Sequence, residues 1–92
     1  MIVSFKHKGL EKFYKTGSKA GINPNHVSKI SAILARLDVA AISEDMDLPG
    51  LFLHKLSGNL EGFYSVTVSG NWRVIFKFEN TNVYVVDYLD YH

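Results

Sequence analysis

The last third of the chain constrains the fold most. Phe63-Tyr-Ser-Val-Thr-Val68, Asn71-Trp-Arg-Val-Ile-Phe-Lys-Phe78 and Val83-Tyr-Val-Val-Asp-Tyr88 alternate apolar and polar residues over three successive runs. Ser69-Gly70 and Asn80-Thr81-Asn82 separate them. Period-two patterning broken by short turn signals predicts a three-stranded antiparallel meander. On its middle strand Trp72, Val74, Phe76 and Phe78 share one face, while Asn71, Arg73, Ile75 and Lys77 share the other. Tyr64, Val66 and Val68 form the apolar row of the strand before, with Phe63, Ser65 and Thr67 opposite. One face is therefore expected to meet helices and the other, carrying Asn71 and Arg73, to be open. On the third strand Tyr84, Val86 and Tyr88 share a parity with Asp90 and His92, provided no bulge intervenes.

The helices come from the first half. Leu10, Phe13 and Tyr14 fall at helical spacing within 7–14, and Gly17 is a plausible stop. Asn23-Pro24 is a helix start: the Asn side chain can accept from orphan amides, and Pro suits the first turn, where its missing N–H is not needed. Val27, Ile30, Ile33, Leu34 and Leu37 then mark the apolar stripe of a helix of about four turns. Ile2–Phe5 reads as a short first strand and 51–56 as another. The stretch 38–50 reads as a loop with one helical turn, closed by Leu48-Pro49-Gly50. The expectation is a single α+β domain over 1–92: two N-terminal helices on one face of a small, mostly antiparallel sheet, in the order β-α-α-β-β-β-β.

Composition narrows the chemistry. Ninety-two residues leave no room for separate cofactor and substrate domains. Zero cysteines exclude a disulfide framework, a thiolate zinc or iron–sulfur site and a cysteine nucleophile. The four histidines (His7, His26, His54, His92) include no pair at i, i+4 and no His-Glu-x-x-His, so no metal is expected. Gly-x-Ser-x-Gly, P-loop and dinucleotide fingerprints are absent, so no cofactor is expected either. No run approaches a membrane span, and Lys6 and Lys8 interrupt the N-terminus too early for a signal peptide; a cytoplasmic protein is expected. The formal net charge of +1 hides an asymmetry: Lys6, Lys8, Lys12, Lys15 and Lys19 oppose Glu11 alone, whereas 38–47 carries Asp38, Glu44, Asp45 and Asp47. The basic end suits phosphate or an acidic partner, or is simply a solvated face.

Chemistry-bearing residues gather in the C-terminal half: His54, Lys55, Asn71, Arg73, Asp90, Tyr91 and His92. Each has an ordinary reading alone. His54 suits a half-buried imidazole, Asn71 turn chemistry, Arg73 a solubilising role, and the terminal Asp-Tyr-His a frayed end. Together they supply the groups that metal-free phosphodiester cleavage needs. A base takes the ribose 2′-OH proton, an acid protonates the leaving 5′-oxygen, and fixed positive charge stabilises the phosphorane-like transition state. Histidine titrates near neutrality, arginine holds phosphate oxygens bidentately, and tyrosine can stack on a nucleobase.

Met1-Ile-Val-Ser-Phe-Lys-His-Lys-Gly-Leu10, Leu56-Ser-Gly-Asn-Leu-Glu-Gly-Phe-Tyr-Ser-Val-Thr-Val68, Asn71-Trp-Arg-Val-Ile-Phe76 and Asp87-Tyr-Leu-Asp-Tyr-His92 resemble the HigB toxins, a branch of the RelE/ParE superfamily of type II toxin–antitoxin systems. The resemblance runs nearly end to end, in pattern rather than residues over 17–50. It implies a RelE-like fold and ribosome-dependent endonucleolytic cleavage of messenger RNA in the A site, arresting translation and growth. It also implies a helix-turn-helix antitoxin of the HigA type as partner, with DNA engaged only indirectly through the antitoxin complex. His54, Asn71, Arg73, Asp90, Tyr91 and His92 fall on positions the family uses around the cleavage site. Arg73 would brace the phosphate and Asn71 would position the RNA. Asp90 and His92 would handle protons, with Tyr91 stacking or orienting the 2′-OH and His54 sharing acid–base work. Lys6, Lys8, Lys12, Lys15 and Lys55 are candidates for contact with messenger or ribosomal RNA. The sequence departs at Ser57, where the family often carries lysine; regular strand parity would turn Lys55 to the opposite side. Two other readings are a ParE-like gyrase-binding protein without catalysis, and a catalytically weak antitoxin-binding relative.

Overall fold

The computed structural model describes residues 1–90; Tyr91 and His92 lie outside the described residues. Helices α1 (Lys8–Thr16) and α2 (Val27–Val39) precede strands β1 (His54–Lys55), β2 (Phe63–Ser69), β3 (Trp72–Glu79) and β4 (Asn82–Asp90). The strands pair antiparallel in the order β1-β2-β3-β4. Short 3₁₀ turns fill Pro24–His26, Ser43–Met46 and Gly58–Leu60.

Helix α1 is capped at its start by a side chain and at its end by a backbone amide. The His7 ring Nδ1 accepts from the Leu10 amide at 2.9 Å, taking the part usually played by Ser, Thr, Asn or Asp. Gly17 closes α1 in the left-handed region (φ 79°), its N–H donating to the Phe13 carbonyl. Asn23 accepts from the Asn25 amide and Pro24 follows, but the first turn is 3₁₀ and α2 begins only at Val27. Ile30, Ile33, Leu34 and Leu37 are buried along the expected stripe. Between the helices Gly9 and Gly21 come so close that a Cβ on Gly9 would stand 2.9 Å from the Gly21 Cα, so a side chain at either would force the backbones apart.

The expected first strand is reduced to two isolated parallel bridges, Ile2 to Val83 and Phe5 to Val86. The reason lies in β4. Its pairing with β3 slips between Ile75 and Lys77, and Val85 sits at φ 55°, an extra residue bulged out of the ladder. Ser4 Oγ accepts from the displaced Val85 amide at 2.9 Å. The bulge also overturns the single parity expected along β4. Before it, Val83 faces the core and Tyr84 lies opposite Lys77; after it, Val86 and Tyr88 are buried in the core.

The inner face packs Tyr64, Val66, Val68, Trp72, Val74, Phe76 and Phe78 against the helices, as the alternation requires. The outer face is not as open as expected. Ile75 is 3% exposed, Ser65 5% and Leu56 8%, because 51–62 folds back across it. Of the strand expected at 51–56, only His54–Lys55 forms a ladder, opposite Ser65 and Tyr64. Leu51 is instead buried in the core, its carbonyl accepting from the Thr67 amide, and Phe52 turns out of line at φ 51°.

Candidate active site on the outer sheet face

Three strands and one connecting segment build a shallow hollow of about 310 Å³, lined by Phe52, His54, Leu56, Ser65, Thr67 and Arg73. Strand register explains the set. His54 stands opposite Ser65, and Thr67 opposite Arg73, so all four alternate onto the same face. Leu56 and Ser65 are both buried, giving the hollow a dry floor beneath an exposed imidazole. His54 is thus exposed, not half-buried as its apolar neighbours suggested.

Arg73 is half-buried. Its Nη1 donates to the Gly70 carbonyl at 2.6 Å and to the Trp72 carbonyl at 3.1 Å, which folds the guanidinium against the β2–β3 turn. Nε and Nη2 donate to no acceptor among the described residues. An arginine so placed offers part of its donor fork to an arriving anion. Asn71, the residue before β3, is exposed on that same turn.

Asp90 is at a different place. It pairs with Trp72, which packs against the core, while Arg73 pairs with Leu89. Register therefore sets Asp90 on the helix-side face at the exposed end of β4, not in the hollow beside Arg73. The expectations for Tyr91 and His92 lie outside the described residues. Beneath the end of β4, Tyr88 is anchored by the helix layer: its hydroxyl lies 2.7 Å from Nδ1 of buried His26, and its ring packs 4.9 Å from Trp72. Burial pushes the Tyr88 phenol above its ordinary value, with the Asn23 backbone amide pulling the other way.

Lys55 pairs with Tyr64, on the opposite parity to His54, and does not line the hollow. Lys8, Lys12 and Lys15 are exposed at i, i+4 and i+7 along α1, with Lys6 exposed just before it. Lys15 pairs with Glu11 at 3.1 Å. These four lysines belong to the N-terminal layer, away from the hollow. A larger hollow of about 800 Å³ between α1 and α2 holds Lys19 as its one ionisable lining residue, so it is less suited to acid–base chemistry. Among the described residues no three His, Asp or Glu side chains gather in a metal-binding group, and no helix is long and apolar enough to cross a membrane.

Four lining residues, Phe52, Leu56, Ser65 and Thr67, were not singled out by their sequence pattern. Thr67 is legible there only as an outward residue of β2. Phe52 shares parity with His54 two residues on, a signal masked by the apolar run around it.

Residues 3–92 match the family described as the RelE-like toxin of type II toxin–antitoxin system HigB. The chain belongs to the HigB-like toxins. It is 39% identical to Endoribonuclease HigB of Proteus vulgaris over 92 residues, covering the full length of both chains. It is 33% identical to Toxin HigB-1 of Vibrio cholerae serotype O1, covering all of this chain and 98% of the relative. Among solved structures, the YoeB–YefM complex from Staphylococcus aureus matches with a TM-score of 0.65 at 21% identity, covering 100% of this chain and 95% of that one. The YoeB dimer from the same organism matches at 0.61 and 18%, covering 99% and 94%. At these identities the structural matches establish a shared fold, the RelE-like arrangement expected for a HigB-like chain.

Proposed function

We propose that this HigB-like toxin is an endoribonuclease that cuts translated messenger RNA in the ribosomal A site by acid–base catalysis, without a metal. The observation that carries the reading is the convergence of His54 and Arg73 on one outer-face hollow, with Asn71 on the adjoining turn. It draws support from the endoribonuclease named among the full-length relatives.

Arg73 holds the scissile phosphate and neutralises charge as the 2′-oxygen adds to phosphorus. A base removes the 2′-OH proton, the P–O5′ bond breaks, and an acid delivers a proton to the leaving 5′-oxygen. His54 and the Asp90–His92 pair are the proton-handling groups, with Tyr91 stacking on a base or orienting the 2′-OH. Asn71 positions the strand from the rim. Asp90 works from the edge of β4 rather than from within the hollow, consistent with a carboxylate that orients a partner instead of touching phosphate.

A shallow hollow cannot by itself hold a flexible strand in an attack geometry. A ribosome that pre-positions the messenger supplies that orientation, worth up to several kcal/mol. The exposed row Lys8, Lys12 and Lys15, with Lys6, is then the face that meets ribosomal RNA phosphates, leaving the outer sheet face for messenger. A HigA-like helix-turn-helix antitoxin is the proposed partner in neutralisation, and the cytoplasm the proposed compartment. Ser57 in place of a lysine, with Lys55 turned away, favours weaker RNA engagement than in lysine-bearing relatives. Cleavage of RNA on ribosomes by wild type and by His54→Ala and Arg73→Ala variants tests the reading; undiminished cleavage by both would remove its basis.

A further inference from the structure

Phe52 is 73% exposed, beside Val39 the most exposed large apolar side chains of the described residues. It also sits at φ 51°, a left-handed conformation that a bulky side chain seldom adopts and that glycine or asparagine accepts more readily. Neither property helps this chain fold. The exposed ring forgoes burial, and the backbone is strained at the same residue. What the conformation does is local. Leu51 is tied into the core by its carbonyl bond to the Thr67 amide, and His54 enters the ladder opposite Ser65. Phe52, between them, is thrown outward onto the wall of the hollow that holds His54 and Arg73.

We infer that Phe52 is a specificity-determining residue whose ring stacks against a nucleobase of the messenger strand next to the scissile phosphate. This rests on the reading of the hollow as the cleavage site. An aromatic face beside a phosphate-holding arginine and an imidazole is the pairing that single-stranded RNA requires: a charge for the backbone and a π-surface for an unstacked base. Every base offers a π-face, but purines offer more area, so the ring favours a purine over a pyrimidine at the base it meets.

The test compares wild type with Phe52→Gly, Phe52→Trp and Arg73→Ala, cleaving messengers that differ only in the bases of the A-site codon on programmed ribosomes. Thermal melting is measured on the same proteins. The expected result for Phe52→Gly is about a ten-fold or greater loss in kcat/KM, carried mainly in KM, with the purine preference flattened. Its melting temperature should be unchanged or raised, because glycine relieves the backbone. Phe52→Trp should keep both rate and preference. If Phe52→Gly keeps wild-type rate and base preference while Arg73→Ala abolishes cleavage, the stacking role is overturned and the site stands. If Phe52→Gly loses activity only in step with a lowered melting temperature, the ring is structural and the inference fails. If Arg73→Ala also cleaves normally, the hollow is not the site and the inference falls with it.

Discussion

Arg73 and Asp90 are brought to opposite faces of the sheet by a regular ladder: Arg73 pairs with Leu89, and Asp90 with Trp72. A carboxylate on the helix side reaches an outer-face phosphate only around the end of β4. Asp90→Asn should therefore reduce ribosome-dependent cleavage by about ten-fold, against about a hundred-fold for Arg73→Ala, whose charge faces the hollow. Single-turnover rates on the same messenger decide this; a larger loss for Asp90→Asn would place the carboxylate at the reacting atoms.

Tyr88 ties the end of β4 to His26 across the inner face. Tyr88→Phe leaves the buried imidazole without that partner and should lower stability at neutral pH by about 1–3 kcal/mol in urea titrations. The phenol adds a pH dependence of known sign. Its value is raised in the folded protein above the ordinary 10.0. Folding therefore retains a proton that the unfolded chain releases, and this share of stability is complete below pH 10 and lost as pH rises through the folded value. Melting temperatures measured from pH 8 to 11 should fall more steeply for wild type than for Tyr88→Phe. Parallel curves would contradict the assignment.

Asp38 joins three elements. Its Oδ1 accepts from the Ile2 amide at 3.1 Å and its Oδ2 from the Tyr14 hydroxyl at 2.8 Å, holding the N-terminal segment and α1 to the end of α2. Burial, with Asp38 beside it, raises the Tyr14 phenol above its ordinary value. Asp38→Ala should destabilise by about 1–3 kcal/mol, and Tyr14→Phe, whose bond is exposed, by about 1 kcal/mol or less. Hydrogen exchange at the Val83 and Val86 amides, which donate to Met1 and Ser4, should quicken in Asp38→Ala. Unchanged protection there would show that the segment is held without Asp38.

Much of this architecture was legible because the residues concerned obey a local period. Trp72, Val74 and Phe76 alternate into the core and Ile30, Ile33, Leu34 and Leu37 follow a helical stripe, so neither needs knowledge of the rest of the chain. The failures share another cause. Val85 reads as one more strand residue, yet its positive φ follows from Ser4 and the parallel segment alongside, a contact 81 positions away. Because the bulge resets parity, no local pattern could assign Tyr84 to the outer face or fix the faces of residues 86–90. His54 and Arg73 were readable as candidate residues, and their shared hollow required only correct register between β1, β2 and β3. The dry floor of Leu56 and Ser65 was not readable, since it depends on 51–62 folding back over a face that alternation marks as open.

The basic row on α1 should carry the salt-sensitive part of ribosome binding. Lys8→Ala/Lys12→Ala/Lys15→Ala removes three exposed cations from a layer remote from the hollow. Affinity for ribosomes near 0.1 M salt should fall about ten-fold or more, and its dependence on salt should become shallower. Cosedimentation over a salt series reads both. Wild-type affinity at low salt would remove α1 from the interface.

The most direct measurement is cleavage of a defined messenger on programmed ribosomes, by wild type and by Arg73→Ala, with a ribosome-free control and with EDTA. The expected result is cuts within A-site codons that require ribosomes, persist in EDTA and drop by about a hundred-fold in the variant. Folded wild-type protein that leaves the messenger intact, or cuts that the variant makes equally well, would contradict a catalytic site built around Arg73.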